Sequence, residues 1–330
     1  MPQLWKAFPL SKGLLTWVPA LDAWRRRHAI TGGTDTPRYC YSVWLRHLVI
    51  LHRYGFKTTG ARIGELGPGD SIGIGLAALL SGANQYVGLD IVPFSAKADL
   101  ESILEELIQL YSRRAPIPDQ DEFPSVRPRL ESYKFPEHLI EWGNFSFRTE
   151  NVRAVLRAGF IGSDFLQYKA PWTSSNEIAM ASLDLIFSQA VLEHVDDLDE
   201  TYKAMSLWLT PGGYASHVID FTSHGLSPFW NGHWAYSDFE WRLVRGRREF
   251  LLNREPLSTH LACIKKVGLE LVFLEQNSQG NQLNRQDLSG QFRSLDADDL
   301  RTSGVVMILR KPLSNVHSTE QFLKVTGKSS

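Results

Sequence analysis

The sequence predicts an α/β fold: a doubly wound, mostly parallel, seven-stranded sheet with helices on both faces. Three observations carry this expectation. From Thr58 onward short apolar runs alternate with helical patterns, as strands joined by helical crossovers do. A glycine-rich turn, Gly64-Glu65-Leu66-Gly67-Pro68-Gly69, separates the first apolar run from the first helical one. Asp90 then closes the second apolar run, about 20 residues past that turn, where a doubly wound sheet places a ribose-binding acid.

The elements follow in order. Ala61 to Leu66 reads as a short buried strand, and Gly67 to Gly69 as a tight loop. Ile72 to Leu80 opens an apolar helix, and Gln85 to Leu89 is the second strand. Ser95 to Tyr111 reads as helical, with Leu100, Ile103, Leu104, Leu107 and Leu110 on one stripe. Pro116, Pro118, Pro124 and Pro128 impose an irregular stretch, and Arg148 to Arg157 resumes as helix. Leu183 to Ser188 is a strongly apolar strand. Leu198, Tyr202, Met205 and Leu209 then share a helical face that Thr210-Pro211-Gly212-Gly213 stops. Tyr214 to Asp220 is a strand, Leu257 to Val267 a helix closed by Gly268, and Leu269 to Leu274 and Val305 to Leu309 the last strands. The chain is thus read as a helical N-terminal layer over 1–57, a main domain over 58–312 with a lid-forming insertion over 97–160, and a polar tail over 313–330.

Composition narrows the function classes. The 330 residues hold 35 Lys+Arg against 36 Asp+Glu, with 43% hydrophobic and 22% charged residues, ordinary for a globular chain. Disorder, collagen-like repeats and a polybasic nucleic-acid binder are excluded. Cys40 and Cys263 make neither a disulfide framework nor a zinc site, and no apolar run is long enough to span a bilayer, so the expected location is cytoplasmic. Residues 1–57 stand apart, with nine Lys/Arg against two acids, a local charge of +7. Trp5, Trp17, Trp24, Tyr39, Tyr41 and Trp44 are interleaved with them. The plain reading is aromatics packed on the core and arginines in water. The functional one is peripheral contact with an anionic membrane surface or a grip on a phosphorylated substrate.

The acids around the glycine turn bear on the ligand. Glu65 ends the strand and Asp70 stands where the helix begins, as an N-cap or as part of the cleft. A pyrophosphate there would meet two carboxylates, which is unfavourable. S-adenosylmethionine carries a sulfonium, an ammonium and no phosphate, so the same carboxylates suit it. Ile72 also occupies the last position of the dinucleotide fingerprint, where glycine or alanine is expected.

Four motifs in sequence carry a resemblance: Glu65-Leu66-Gly67-Pro68-Gly69, Asp90, Ser182-Leu183-Asp184-Leu185-Ile186-Phe187-Ser188 with Val191-Leu192-Glu193-His194-Val195, and Leu209-Thr210-Pro211-Gly212-Gly213. Together, over roughly Thr58 to Pro312, they resemble class I S-adenosylmethionine-dependent methyltransferases, with their Rossmann-like sheet. The resemblance implies that Glu65, Gly67 and Gly69, with Asp70 adjacent, meet the methionine part of the cofactor. It places Asp90 and Ile91 on the ribose, and Ser188 and Gln189 along the methyl-donor pocket. The acid that meets adenine in this family has no counterpart around Pro171-Trp172-Thr173, Asp164 being the nearest candidate. Arg38-Tyr39-Cys40-Tyr41-Ser42-Val43-Trp44-Leu45-Arg46-His47-Leu48 and Asp298-Asp299-Leu300-Arg301 resemble methyltransferases of bacterial surface-glycan pathways. That likeness implies a sugar hydroxyl, or another small-molecule acceptor.

A hydroxyl acceptor needs a base, and ligands in a parallel sheet meet the carboxyl ends of the strands. His224, in the loop after Asp220, is the expected base, with Asp220 orienting it or binding the acceptor and His194 second in line. Trp230, His233, Trp234 and Tyr236 are a candidate surface for stacking on a sugar or shielding the sulfonium, or else a lid packed on the core. His217, Asp220 and His224 have the composition of a metal site, but His217 and Asp220 fall on opposite faces of a strand, so no metal is expected. Two other functions compete. A nucleotide-binding oxidoreductase or epimerase would use a similar fold, against which Asp70, Ile72 and the lack of an obvious Tyr-x-x-x-Lys pair count. A noncatalytic scaffold could use the basic layer to hold a membrane-associated glycan assembly complex.

Overall fold

The computed structural model describes residues 4–20, 33–93, 95, 98–159, 163–172 and 174–313. Trp24 and Arg25 to Arg27 of the basic layer, Lys97, Phe160 and the tail from Ser314 lie outside them. Seven strands form one sheet: β1 (Arg62–Leu66), β2 (Gln85–Leu89), β3 (Leu166–Lys169), β4 (Leu183–Gln189), β5 (Leu209–Asp220), β6 (Glu270–Asn277) and β7 (Gly304–Arg310). Their spatial order is β3-β2-β1-β4-β5-β7-β6. The first five are parallel, and β7 runs antiparallel between β5 and β6. The order reverses between β1 and β4, which opens a crevice at their carboxyl ends.

Alternating residues send each strand's side chains into two cores. Ile63, Tyr86, Leu185 and Phe187 face α2 (Pro37–Arg53), α3 (Gly73–Ser81), α4 (Leu100–Ser112) and α5 (Phe145–Arg157). Leu66, Val87, Ile186 and Met307 face α6 (Leu198–Trp208) and α8 (Leu257–Lys266). Further helices are α1 (Ala7–Leu15), which packs on α7 (Asp238–Arg245), and the short α9 (Ala297–Arg301).

Several expectations shift at the element ends. The helix expected from Ser95 starts at Leu100, because the Asp99 carboxylate accepts the Ser102 N–H at 3.0 Å and caps it there. Leu209 is the first residue of β5, opposite Leu183, so Thr210 to Gly213 continue as strand instead of forming a loop. β3 has no counterpart among the expected elements. It is four residues long with only Leu166 buried, too little for an alternation to show. Ser237 and Glu240 form a capping box that starts α7, and this helix was also not anticipated.

The basic layer is less peripheral than expected. α2 lies inside the main core with Trp44 fully buried, its indole N–H donating to Ser81 Oγ at 2.8 Å. Arg46 does not face water: its guanidinium donates to the carbonyls of Pro118, Val126 and Pro128, and lies over the Tyr133 ring. The proline-rich stretch of the 97–160 insertion is therefore the socket of a buried cation.

Candidate active site

A cavity of about 620 Å³ opens at the crevice, within the ~300–1,000 Å³ usual for small-ligand sites. The turn after β1 forms its floor. Gly67 has φ +62°, and a Cβ there would lie 2.8 Å from the Val191 side chain, so the turn needs glycine twice over. The helix behind the turn is drawn in close as well. A Cβ on Gly75 would meet the Tyr86 ring at 2.2 Å, so Gly75 supplies the close approach that Ile72 forgoes.

Two carboxylates line this floor. Asp90 takes the Gly69 N–H on Oδ2 at 3.2 Å and the Ile91 N–H on Oδ1 at 2.8 Å, which pins it across the end of β2. Oδ1 also takes a longer contact from the Val92 N–H at 3.5 Å, so Oδ2 is the oxygen that keeps a lone pair for a hydroxyl. Glu65 is 1% exposed and accepts the Tyr86 hydroxyl at 2.5 Å. Burial, opposed by that hydrogen bond and reinforced by Asp90, pushes its carboxyl up to about 8. Burial likewise raises Asp90. A buried acid held so far above its ordinary value is short of positive charge, and an ammonium group would supply it.

The N-terminal segment provides a wall. Thr34 accepts the Ser71 N–H on Oγ1 at 3.0 Å, stitching the stretch before α2 to the glycine turn, and Tyr39 stands beside it in the cavity lining. Trp172, Glu249 and Phe250 line other sides. Among the described residues of 97–160 none lines the cavity; their helices pack against α2 and α3.

At the far end four polar side chains gather past β4 and β5. The Leu192–His194 turn is held by Asn253, whose side-chain amide donates to the carbonyls of Leu192 and Val195 at 2.8 and 2.9 Å. His224, at φ +45°, places its Nε2 3.2 Å from Asp220 Oδ2. Burial alone would raise Asp220, but hydrogen bonds from His224 and Thr222 hold it below the usual carboxylate range. The His194 and His224 rings meet edge to face at 5.2 Å. Burial, with the neighbouring His224, lowers His194 to about 4, so at neutral pH it is an uncharged imidazole. Glu193 is buried behind them, with one oxygen accepting the Asp220 N–H at 3.3 Å.

Of the residues expected to bind a cofactor, Glu65, Gly67, Gly69, Asp90, Ile91 and Gln189 line the cavity. Asp70 does not, nor does it cap α3; Ser71 Oγ takes the Gly73 N–H instead. The acid paired with Glu65 on the floor is therefore Asp90. Ser188 points away from the cavity, its hydroxyl bonded to His217 Nδ1 at 2.8 Å, because neighbouring strand residues face opposite sides and Gln189 takes the cleft side. His194 and His224 line the cavity, and Asp220 stands behind His224. His217 is thus drawn away from the pair it might have joined. Trp230, Trp234 and Tyr236 are buried in two small satellite cores, His233 is buried against the Trp234 ring, and none of the four lines the cavity. Asp164 is exposed and also outside the lining. Sequence reasoning missed Tyr86, Trp172 and Glu193. Only Glu193, inside a quoted motif beside His194, carried a signal that could have found it.

No family model matches this sequence, and no curated protein matches it. Among solved structures it is similar to an S-adenosylmethionine-dependent methyltransferase from Mesorhizobium loti, at 13% identity over 79% of this chain and 96% of that one, with a TM-score of 0.41. It is similar to a second, from Methanosarcina mazei, at 15% identity over 80% and 97%, TM-score 0.39. A third is geranyl diphosphate methyltransferase in complex with S-adenosylmethionine, at 11% identity over 81% and 85%, TM-score 0.42. Likenesses this distant leave the chemistry of this chain to be read from its own cleft.

Proposed function

We propose that this chain is an S-adenosylmethionine-dependent methyltransferase acting on a hydroxyl of a small molecule or glycan. The observation that carries the reading is the pair of buried carboxylates, Glu65 and Asp90, set on a glycine turn at the switch point of the sheet. Glu65 would hold the ammonium of the cofactor's methionine part, and Asp90 the ribose diol. Gly67 and Gly69 leave the backbone open to close approach, and Gln189 and Ile91 flank the cleft. A diphosphate on the same floor would meet the Asp90 carboxylate at short range and would favour Glu65 only in its protonated form. When bound, S-adenosylmethionine supplies a methyl group activated by the sulfonium for in-line displacement.

The chain's own part is alignment, exclusion of water and proton handling. Tyr39, Trp172 and Phe250 wall the cavity with apolar surface. In this reading His224 accepts the proton of the acceptor hydroxyl, Asp220 fixes the ring and stabilises the imidazolium that forms, and uncharged His194 backs the pair. A sugar hydroxyl is the acceptor class we favour. Work at an anionic membrane surface is part of the proposal, on the strength of Leu4, Phe8, Leu14, Leu15, Trp17 and Val18, which stand exposed on and beside α1. Among the described residues no helix is long and apolar enough to cross a membrane.

Equilibrium binding tests the core of the reading. S-adenosylhomocysteine should bind with a dissociation constant at least about a hundredfold below that of NAD. Binding of NAD without S-adenosylhomocysteine would overturn it and restore the oxidoreductase alternative.

A further inference from the structure

We infer that Glu193, His194 and His224 form a binding site for one divalent transition-metal ion of the zinc class at the acceptor end of the cleft. One ligand atom from each residue lies within 4.8 Å of the other two. Glu193 is 2% exposed, and its Oε2 has no hydrogen-bond partner although the atom is buried. His194 Nδ1 is likewise buried and unpartnered. Leaving two such atoms unsatisfied in one place is costly, and a shared cation would satisfy both.

On Glu193 and His224 the other ligand atom is already committed, which leaves the free one for the ion. Glu193 Oε1 accepts the Asp220 N–H, and His224 Nε2 meets the Asp220 carboxylate, leaving Nδ1 as its second nitrogen. Asp220 therefore orients two of the three ligands, as a carboxylate behind a metal-bound histidine does. Two imidazoles and one carboxylate suit Zn²⁺, Co²⁺ or Fe²⁺ and not the oxygen-seeking Mg²⁺ or Ca²⁺. Tetrahedral coordination at about 2.0–2.1 Å puts donors about 3.4 Å apart, so the longest edge must close by up to about 1.4 Å. His224, on an outward-facing loop, has room to supply that movement. Since His194 and His224 line the cavity, the fourth position faces the acceptor.

The site stands on these residues alone; only its consequence rests on the methyl-transfer reading. A metal on His224 takes the lone pair that would receive a proton, so metal binding and base catalysis exclude each other. The test is Co²⁺ titration of the full chain, followed by its visible absorption, with Zn²⁺ competition by equilibrium dialysis. One ion should bind with a tetrahedral spectrum. Glu193→Gln, His194→Gln and His224→Ala should each weaken it at least about tenfold, with near-ultraviolet circular dichroism showing each variant folded. His224→Ala alters an exposed side chain, so it tests the site even if a core variant fails to fold. The His52–His138 ring pair, 5.7 Å apart, is intact in every variant. Binding that survives all three changes is adventitious and overturns the site, as does no binding at all. Saturating Zn²⁺ should also slow methyl transfer reversibly. Acceleration would overturn His224 as the base but leave the metal site standing, so the two ideas fail separately.

Discussion

Glu65 offers the sharpest test of the cleft chemistry, because its protonation must change when a cation arrives. Burial lifts its carboxyl from an ordinary 4.5 to about 8, so between those values the folded, ligand-free chain holds a proton that the unfolded chain has lost. Its contribution to stability is greatest below pH 4.5 and declines as pH rises towards 8. Above 8 the carboxylate is charged in both states, and the full penalty is on the order of 5 kcal/mol. Glu65→Gln removes that penalty, so the ligand-free variant should outlast the parent in denaturant at pH 8.5 and differ little at pH 5. A bound ammonium reverses the imbalance by favouring the carboxylate. S-adenosylhomocysteine binding at pH 6.5 should therefore release close to one proton, and its affinity should climb by up to about tenfold per pH unit until pH 8. Isothermal titration in buffers of different ionisation enthalpy reads the proton directly. In Glu65→Gln the release should vanish and affinity at pH 8 should fall about 10- to 100-fold, the loss of one charge-assisted hydrogen bond. Equal proton release in parent and variant, or pH-independent binding in the parent, would refute the assignment.

Other expectations concern the rest of the cleft. Asp90→Ala should weaken S-adenosylhomocysteine binding about 10- to 100-fold in the same titration and abolish methylation of the true acceptor; retained methylation would remove Asp90 from the site. Gly67→Ala strains a positive-φ residue against Val191, and should lower both the unfolding midpoint, by the equivalent of about 1–2 kcal/mol, and cofactor affinity. His224→Gln should cut the methyl-transfer turnover number about 10²- to 10⁴-fold while the S-adenosylhomocysteine dissociation constant stays within a few-fold; a parallel loss of both would make His224 a wall residue. Leu14→Asp with Trp17→Asp should reduce sedimentation with anionic vesicles and leave neutral vesicles unchanged.

Much of this was legible along the chain because it depends on neighbours in sequence. Strands of five or more residues with a continuous buried run declare themselves, as β1, β2 and β4 do. The turn at Gly67 needs backbone freedom that only certain residues supply. Asp90 stands at a strand end, a position fixed by local pattern alone. β3 was not legible, since four residues at a sheet edge bury too little to leave a periodic trace.

What tertiary structure decided is which side each side chain faces and what lies across from it. Ser188 and Gln189 are adjacent in the chain and serve opposite faces. Asp70 has the right charge and the right neighbourhood, yet the turn carries it out of the lining and leaves Asp90 as the partner of Glu65. Arg46 looks like a solvated cation until the distant proline-rich stretch folds over it with three carbonyls. Glu193, His194 and His224 meet only because β4 and β5 end side by side. Sequence fixes the chemistry each residue can offer and the local shape of its backbone. Encounters between residues tens of positions apart depend on strand order and facing, which short-range pattern does not encode.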